Sequence, residues 1–293
     1  MHAHDHFVRI NGLQLHYREW GEPSSPPVVL LHGGSAHAHW WDFFADTVAD
    51  AYRVLALDLR GHGDSGHPDP PAYRIEDYAR DLGGFVDATT DRPNHLIGHS
   101  LGGLVATAYA GRAAVQLRSL VIVDTQVRIS EAGARYMARL RNFPHPRYRD
   151  HAHAIKRFRL LPTATTAAPH VLAHVATHAV VQLADGRWTL KFDRESLAHA
   201  EPQDLTAVLQ RLTCPILLVR GAHSELLSHA ALARLLVAVP HAQGAEIADA
   251  HHHVMLDNPD DFARVVRRFL EQSTGKEDAQ LEGERTTDSV REP

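Results

Sequence analysis

Gly98, His99, Ser100, Leu101 and Gly102 place a serine midway between two glycines, a spacing that points to covalent chemistry. The apolar residues Leu96 and Ile97 before it suit the end of a buried strand. Residues 101–111 are rich in Ala and Leu and free of proline, which predicts a helix. A serine on such a strand-to-helix turn is held in a strained backbone conformation with its hydroxyl exposed. The flanking glycines suit a place where strand and helix pass too close for a Cβ. The turn also leaves the Leu101 amide at a helix N-terminus, aimed at the space above Ser100, where an oxyanion can be held. A serine hydroxyl is barely nucleophilic near neutral pH, so it needs a base, and the base needs an orienting acid.

The elements that must carry this turn can be followed along the chain. Residues 7–10 and 13–20 alternate apolar and polar around Asn11 and Gly12, a hairpin signal. Residues 28–31 form a continuous apolar strand of the doubly buried kind, running into His32, Gly33, Gly34 and Ser35. Further strands are expected at 53–57, 94–97, 117–124, 215–220 and 247–248, with helices at 40–49, 75–87 and 260–270. Between 126 and 212 the pattern is helical, without a buried strand. Strands alternating with helices imply a parallel sheet covered on both faces. Residues 273–293 are polar and charged, so a disordered tail is expected there.

Composition sets bounds on the partners. The chain has 293 residues, 44% hydrophobic and 22% charged, with a net charge of −5. That balance gives no reason to expect nucleic acid or an anionic membrane as partner. No apolar run approaches a membrane span, and residues 1–18 lack a signal-peptide core. Cys214 is the single cysteine, which suits a reducing cytoplasm. The 24 histidines form small clusters, among them His37 with His39, and His251 to His253. None shows a His-Glu-x-x-His pattern, so no metal site is expected. Nothing in the sequence signals an oligomeric state.

His32-Gly33-Gly34, Asp58-Leu59-Arg60-Gly61-His62-Gly63 and Gly98-His99-Ser100-Leu101-Gly102-Gly103 together resemble the α/β-hydrolase fold superfamily, over about residues 7–270. The resemblance implies an α/β fold: a mostly parallel, twisted eight-stranded sheet with helices on both faces and a helical cap after the sixth strand. It divides the chain into a core of residues 1–125 and 213–272, a cap of 126–212, and the tail. In that family the chain order is Ser, acid, His. The run from Ala248 to Pro259 resembles the family's histidine loop, where the base stands five residues before an acidic residue, here Asp257. This implies His252 as base, with His251 and His253 as its neighbouring alternatives. The place where the family often has its acid holds Ser224, which cannot stabilise an imidazolium as a carboxylate does. Glu225 follows directly and is the expected acid. Asp124, at the end of the sixth strand, is the alternative.

By the same resemblance the oxyanion hole joins the Leu101 amide to that of Gly34, with Ser35 next in line. His32 should brace this loop. Ser35, His99, Trp40 and Trp41 are the candidate pocket residues, His99 packing under the elbow. A serine at the elbow separates the chain from the haloalkane dehalogenases and epoxide hydrolases of this fold, which use Asp there. From Arg128 to Arg159, nine cationic side chains face two acidic ones, a formal +7 that would suit a carboxylate-bearing substrate. The expected activity is hydrolysis of a small ester or lactone without a cofactor. Carbon–carbon bond hydrolysis of a β-diketone and a ligand-binding sensor role remain alternatives.

Overall fold

The computed structural model describes residues 3–112, 115–198 and 201–288. β1 (His4–Ile10) and β2 (Leu13–Trp20) form a hairpin whose turn residues Asn11 and Gly12 both take positive φ, 49° and 82°. β3 (Pro27–Leu31), β4 (Arg53–Leu57), β5 (Asn94–His99), β6 (Leu117–Val123), β7 (Ile216–Gly221) and β8 (Ala242–Ile247) complete an eight-stranded sheet. Its order is β1-β2-β4-β3-β5-β6-β7-β8. Neighbours from β4 across to β8 pair in parallel, while β2 is antiparallel to β1 and β4. β3, β5 and β7 are buried at every residue, as strands covered on both faces must be.

Alternate residues of these strands feed two separate cores. Val28, Leu30, Val54, Ile97, Val121 and Val219 pack against α1 (Asp42–Val48) and the closing helix Pro259–Asp288. Val29, Leu31, Leu55, Leu96, Leu120 and Leu218 meet α2 (Ile75–Thr89) and α3 (Leu101–Ala110) on the other face. Each such side chain contributes about 1.5–3 kcal/mol on burial. The sheet is therefore the rigid frame on which the strand ends are placed.

The chain leaves the sheet after β6 and returns at β7. Arg128–Ile129 pairs with Gln203–Asp204 and closes the base of this excursion. α4 (Glu131–Arg141) and α5 (His151–Arg157) begin at the side-chain caps Ser130 and Asp150, and α6 (Pro169–His178) begins with proline. A hairpin of Val180–Gln182 with Trp188–Leu190 lies where the sequence suggested only helix. Strands of three residues are too short to display a period of two. α7 (Thr206–Arg211) packs on the sheet, with Leu209 fully buried in the core shared by α3. The excursion thus ends near Asp204 rather than at 212. α8 (His229–Ala238) then covers the edge between β7 and β8.

The closing helix, α9, continues through Ser273, where a disordered tail was expected. The Ser273 and Thr274 hydroxyls bond back to the Phe269 and Leu270 carbonyls, and no proline interrupts the sequence before Asp288. Residues 289–293 of that stretch lie outside the described residues. Among the described residues, no helix is long and apolar enough to cross a membrane.

His32, His37, His62, His95 and His99 are buried in this frame. Burial pushes all five imidazoles below their ordinary value, His37, His62 and His95 to about 3. They fold neutral, whereas in the unfolded chain they titrate near 6.5. As pH falls through 6.5 the unfolded chain takes up protons that the folded one refuses, so stability is lost. For a group held near 3 the loss reaches about 2 kcal/mol by pH 5. His16 works the other way: burial lowers it, but its bonds to Asp58 and Asp5 outweigh that and raise it. The melting temperature should therefore fall between pH 7 and pH 5, with a shallower slope in His95→Phe. A flat wild-type profile over that range would contradict this account.

Candidate active site

β5 stops at His99, and Ser100 takes φ 52° and ψ −115° before α3 begins. Such a conformation costs a non-glycine residue on the order of 1–3 kcal/mol, so the surroundings must enforce it. A Cβ at Gly98 would lie 2.3 Å from the Gly102 carbonyl oxygen, and one at Gly102 would lie 2.4 Å from that of Leu31. Only glycine at both places lets strand, helix and β3 come this close. The Ser100 amide donates to the Val123 carbonyl at 3.0 Å, and the Thr125 hydroxyl donates to the Ser100 carbonyl at 3.2 Å. Leu101 is the first residue of α3, so its amide has no intrahelical acceptor.

The loop after β3 stands against this elbow. A Cβ at Gly33 would come within 3.2 Å of the Ser100 Cβ, whereas one at Gly34 would face open space. His32 fastens the loop from beneath. Its Nδ1 donates to the Gly33 carbonyl at 2.7 Å, and its Nε2 accepts from the Leu59 amide at 3.0 Å. Ser35 follows at φ 58°.

His252 arrives on the turn between β8 and α9. Gly221 lets that turn close on β7, since a Cβ there would lie 2.1 Å from the His251 carbonyl oxygen. His252 Nδ1 bonds Asp124 Oδ1 at 2.8 Å, and both side chains are buried. Asp124 Oδ1 also accepts from the Ser224 hydroxyl at 2.6 Å, and Oδ2 accepts from the Gly221 amide at 2.9 Å. Ser100 and His252 are thus tied to consecutive residues, Val123 and Asp124. His99 joins them from the other side: its Nε2 donates to the His252 carbonyl at 2.9 Å, with the two rings 4.6 Å apart.

The carboxylate against His252 is therefore Asp124 and not Glu225. Glu225 is exposed and makes no hydrogen bond or ion pair among the described residues. The reason lies in how the loop after β7 is folded. Arg220 donates to the Leu227, Ala222 and Ser224 carbonyls at 2.7, 3.2 and 3.3 Å. That arrangement turns Ser224 inward onto Asp124 and leaves its neighbour in solvent. His251 and His253 also go elsewhere. The His251 amide donates to Asp257, and His253 Nε2 donates to the Pro162 carbonyl at 2.7 Å.

Burial pushes the His252 imidazole down, with repulsion from His253 adding to it, so the ring is neutral at neutral pH. Burial pushes the Asp124 carboxyl up, while the Ser224 hydroxyl, the Gly221 amide and the Arg220 guanidinium favour its charged form. A neutral imidazole with its Nδ1 proton held by a buried carboxylate has Nε2 available as a base. His99, His252 and His253 also bring ligand atoms within 4.8 Å of one another. Each of these rings already commits one nitrogen to a protein acceptor.

Of the four expected pocket residues, Ser35 and Trp40 line a cleft beside the glycine loop. His99 lies buried under the elbow, where it was also expected to pack, and Trp41 is fully buried against Phe44 and Phe262. Consecutive residues of the tight turn Ala38–Trp41 cannot both face the cleft. Its other wall comes from the excursion, including Phe158, Arg159, Leu160 and Phe192. Sequence reasoning missed these apart from Arg159, which closes the cationic stretch that begins at Arg128. The one signal was an apolar run interrupted by a single arginine just before Pro162.

The sequence matches the alpha/beta hydrolase family over residues 28–265. It is similar to 2-(acetamidomethylene)succinate hydrolase of Mesorhizobium japonicum, 25% identical over 280 residues that cover 92% of this chain and 97% of the relative. Esterase Rv0045c of Mycobacterium tuberculosis is 28% identical over 261 residues, 86% of this chain and 85% of the relative. Among solved structures, the enol-lactonase from Burkholderia xenovorans LB400 superposes with a TM-score of 0.75 at 27% identity, over 91% of this chain and 100% of that one.

A fluorophosphonate probe should label the wild-type chain at Ser100 and fail to label Ser100→Ala. Asp124→Asn should slow labelling on the order of 10⁴-fold, while Glu225→Gln leaves it unchanged. Slowing in Glu225→Gln with none in Asp124→Asn would overturn the assignment of the carboxylate.

Proposed function

The chain belongs to the alpha/beta hydrolase family, and from that premise we propose that it cleaves a small carboxylic ester or lactone through an acyl-enzyme on Ser100. The observation that carries this reading is the buried hydrogen bond between His252 Nδ1 and Asp124, one residue from the carbonyl that anchors the Ser100 amide. His252 Nε2 takes the Ser100 proton as the hydroxyl oxygen attacks the substrate carbonyl. Asp124 keeps the ring in one tautomer and stabilises the imidazolium that forms. The Leu101 and Gly34 amides donate to the oxyanion, each such donor being worth about 3 kcal/mol in the transition state. Collapse of the tetrahedral intermediate expels the alkoxide, which leaves with the proton from His252. Water then attacks the acyl carbonyl through the same base.

The excursion between β6 and β7 serves as the cap over this centre. Arg159 lies in the cleft with Ser35 and Trp40, and its Nη1 donates to the Lys156 and Phe158 carbonyls at 3.0 and 2.6 Å. Its remaining N–H groups make no hydrogen bond among the described residues and can meet an anion, so we read the substrate as one carrying a carboxylate. The Mesorhizobium relative, a 2-(acetamidomethylene)succinate hydrolase, fits that reading. Much of the other positive charge on the excursion is neutralised locally, as in Arg135 with Glu131, Arg141 with Glu195 and Arg147 with Asp185.

The test is a panel of p-nitrophenyl esters, lactones and vinylogous diketones on wild type and Ser100→Ala. Esters or lactones should be turned over by wild type alone. Arg159→Gln should raise KM for a carboxylate-bearing ester about 10-fold and leave a neutral ester unaffected. Turnover confined to the diketones, or ester hydrolysis surviving in Ser100→Ala, would contradict the proposal.

A further inference from the structure

His174 and His178 stand four residues apart on α6, so their rings share one face of the helix. That face meets His39, which belongs to the turn Ala38–Trp41 just before α1. One nitrogen from each of the three rings lies within 4.8 Å of the other two, a separation that side-chain rotation can close. The His39 and His178 rings are stacked at 3.5 Å with 10° between their planes, and the His174 ring lies 5.0 Å from that of His178. Asp42 sits beside them. Its Oδ2 accepts from His39 Nδ1 at 2.9 Å and from His174 Nε2 at 2.7 Å, while its Oδ1 pairs with Arg18. His178 has no hydrogen-bond partner among the described residues.

A plain packing cluster accounts for two of these rings, because His39 and His174 each satisfy Asp42. It does not account for the third. The unbonded His178 ring lies face to face with another imidazole, where protonation of both would set like charges in contact. Three imidazoles with an adjacent carboxylate are the donor set preferred by zinc, copper and nickel. A carboxylate that accepts the second N–H of ligating histidines is the usual outer support of such sites, and Asp42 does this for two rings.

We propose that His39, His174 and His178 bind one late first-row transition-metal dication, and that the ion fastens α6 to the start of α1. The contact exists without it, through His37 Nε2 donating to the Val175 carbonyl at 3.0 Å, and the ion adds a second tie. The site is separate from the Ser100 centre and does not depend on the hydrolase reading.

Isothermal titration of the tag-free full chain with Zn²⁺, with melting temperatures measured in parallel, tests this. Wild type should show one tight equivalent and a raised melting temperature. His178→Gln leaves the Asp42 network in place. It should weaken that phase about 10-fold or more, lose most of the thermal shift, and keep its metal-free ester hydrolysis. His174→Gln, on the same helix face, should show the same loss if His178→Gln proves poorly folded. No tight phase in wild type, or undiminished wild-type Zn²⁺ affinity in both variants, would overturn the proposal. The second outcome would assign binding to other histidines, such as those at the N-terminus.

Discussion

A carboxylate buried at the end of β6 is the constraint around which the site is built. Asp124 is only 1% exposed, and an ionised carboxylate at such a depth is costly unless its oxygens are satisfied. Its three partners come from three stretches: the Gly221 amide from the end of β7, the Ser224 hydroxyl from the following loop, and the His252 ring from the last turn before α9. The same bonds that stabilise the charge therefore dock β6, β7 and the histidine turn together. Arg220 holds the loop that carries Ser224, and its charge also favours the ionised form of Asp124. Loss of the Ser224 hydroxyl would leave the buried carboxylate short of a donor, at about 1–3 kcal/mol.

The elbow could be read from the sequence because its demands are local. A serine at positive φ between a strand and a helix needs glycine on both sides, and residues 98–102 spell that out. Much of the sheet was equally legible, since strands such as β3 are continuous apolar runs. The carboxylate was not. Whether Asp124 or Glu225 reaches His252 depends on which way the loop after β7 turns, and Arg220 sets that turn through three carbonyls. The Ser224 that seemed to break the pattern is instead the side chain that supports Asp124. Trp40 and Trp41 show a similar limit. Adjacent aromatic residues look alike in sequence, and both pack in the core, yet only Trp40 also lines the cleft.

The excursion between β6 and β7 is joined to the site through backbone contacts that no motif announces. Asp257 accepts from the Thr166 and Ala167 amides at 3.0 and 3.1 Å and from the His251 amide at 2.8 Å. The Thr166 hydroxyl reaches the Asp249 carbonyl at 2.5 Å, and His253 bonds the Pro162 carbonyl. One wall of the cleft and the histidine turn are thus held by the same groups. A change in the 160–167 stretch should be felt at His252 as readily as in the cleft. His39, His174 and His178 mark a second seam, between α6 of the excursion and the turn just before α1.

The direct measurement of the Asp124–His252 contact is the low-field proton NMR spectrum of ¹⁵N-histidine-labelled chain. A resonance from His252 Nδ1–H is expected in wild type and in Glu225→Gln, and it should vanish in Asp124→Asn. Its persistence in Asp124→Asn, or its loss in Glu225→Gln, would contradict the central claim.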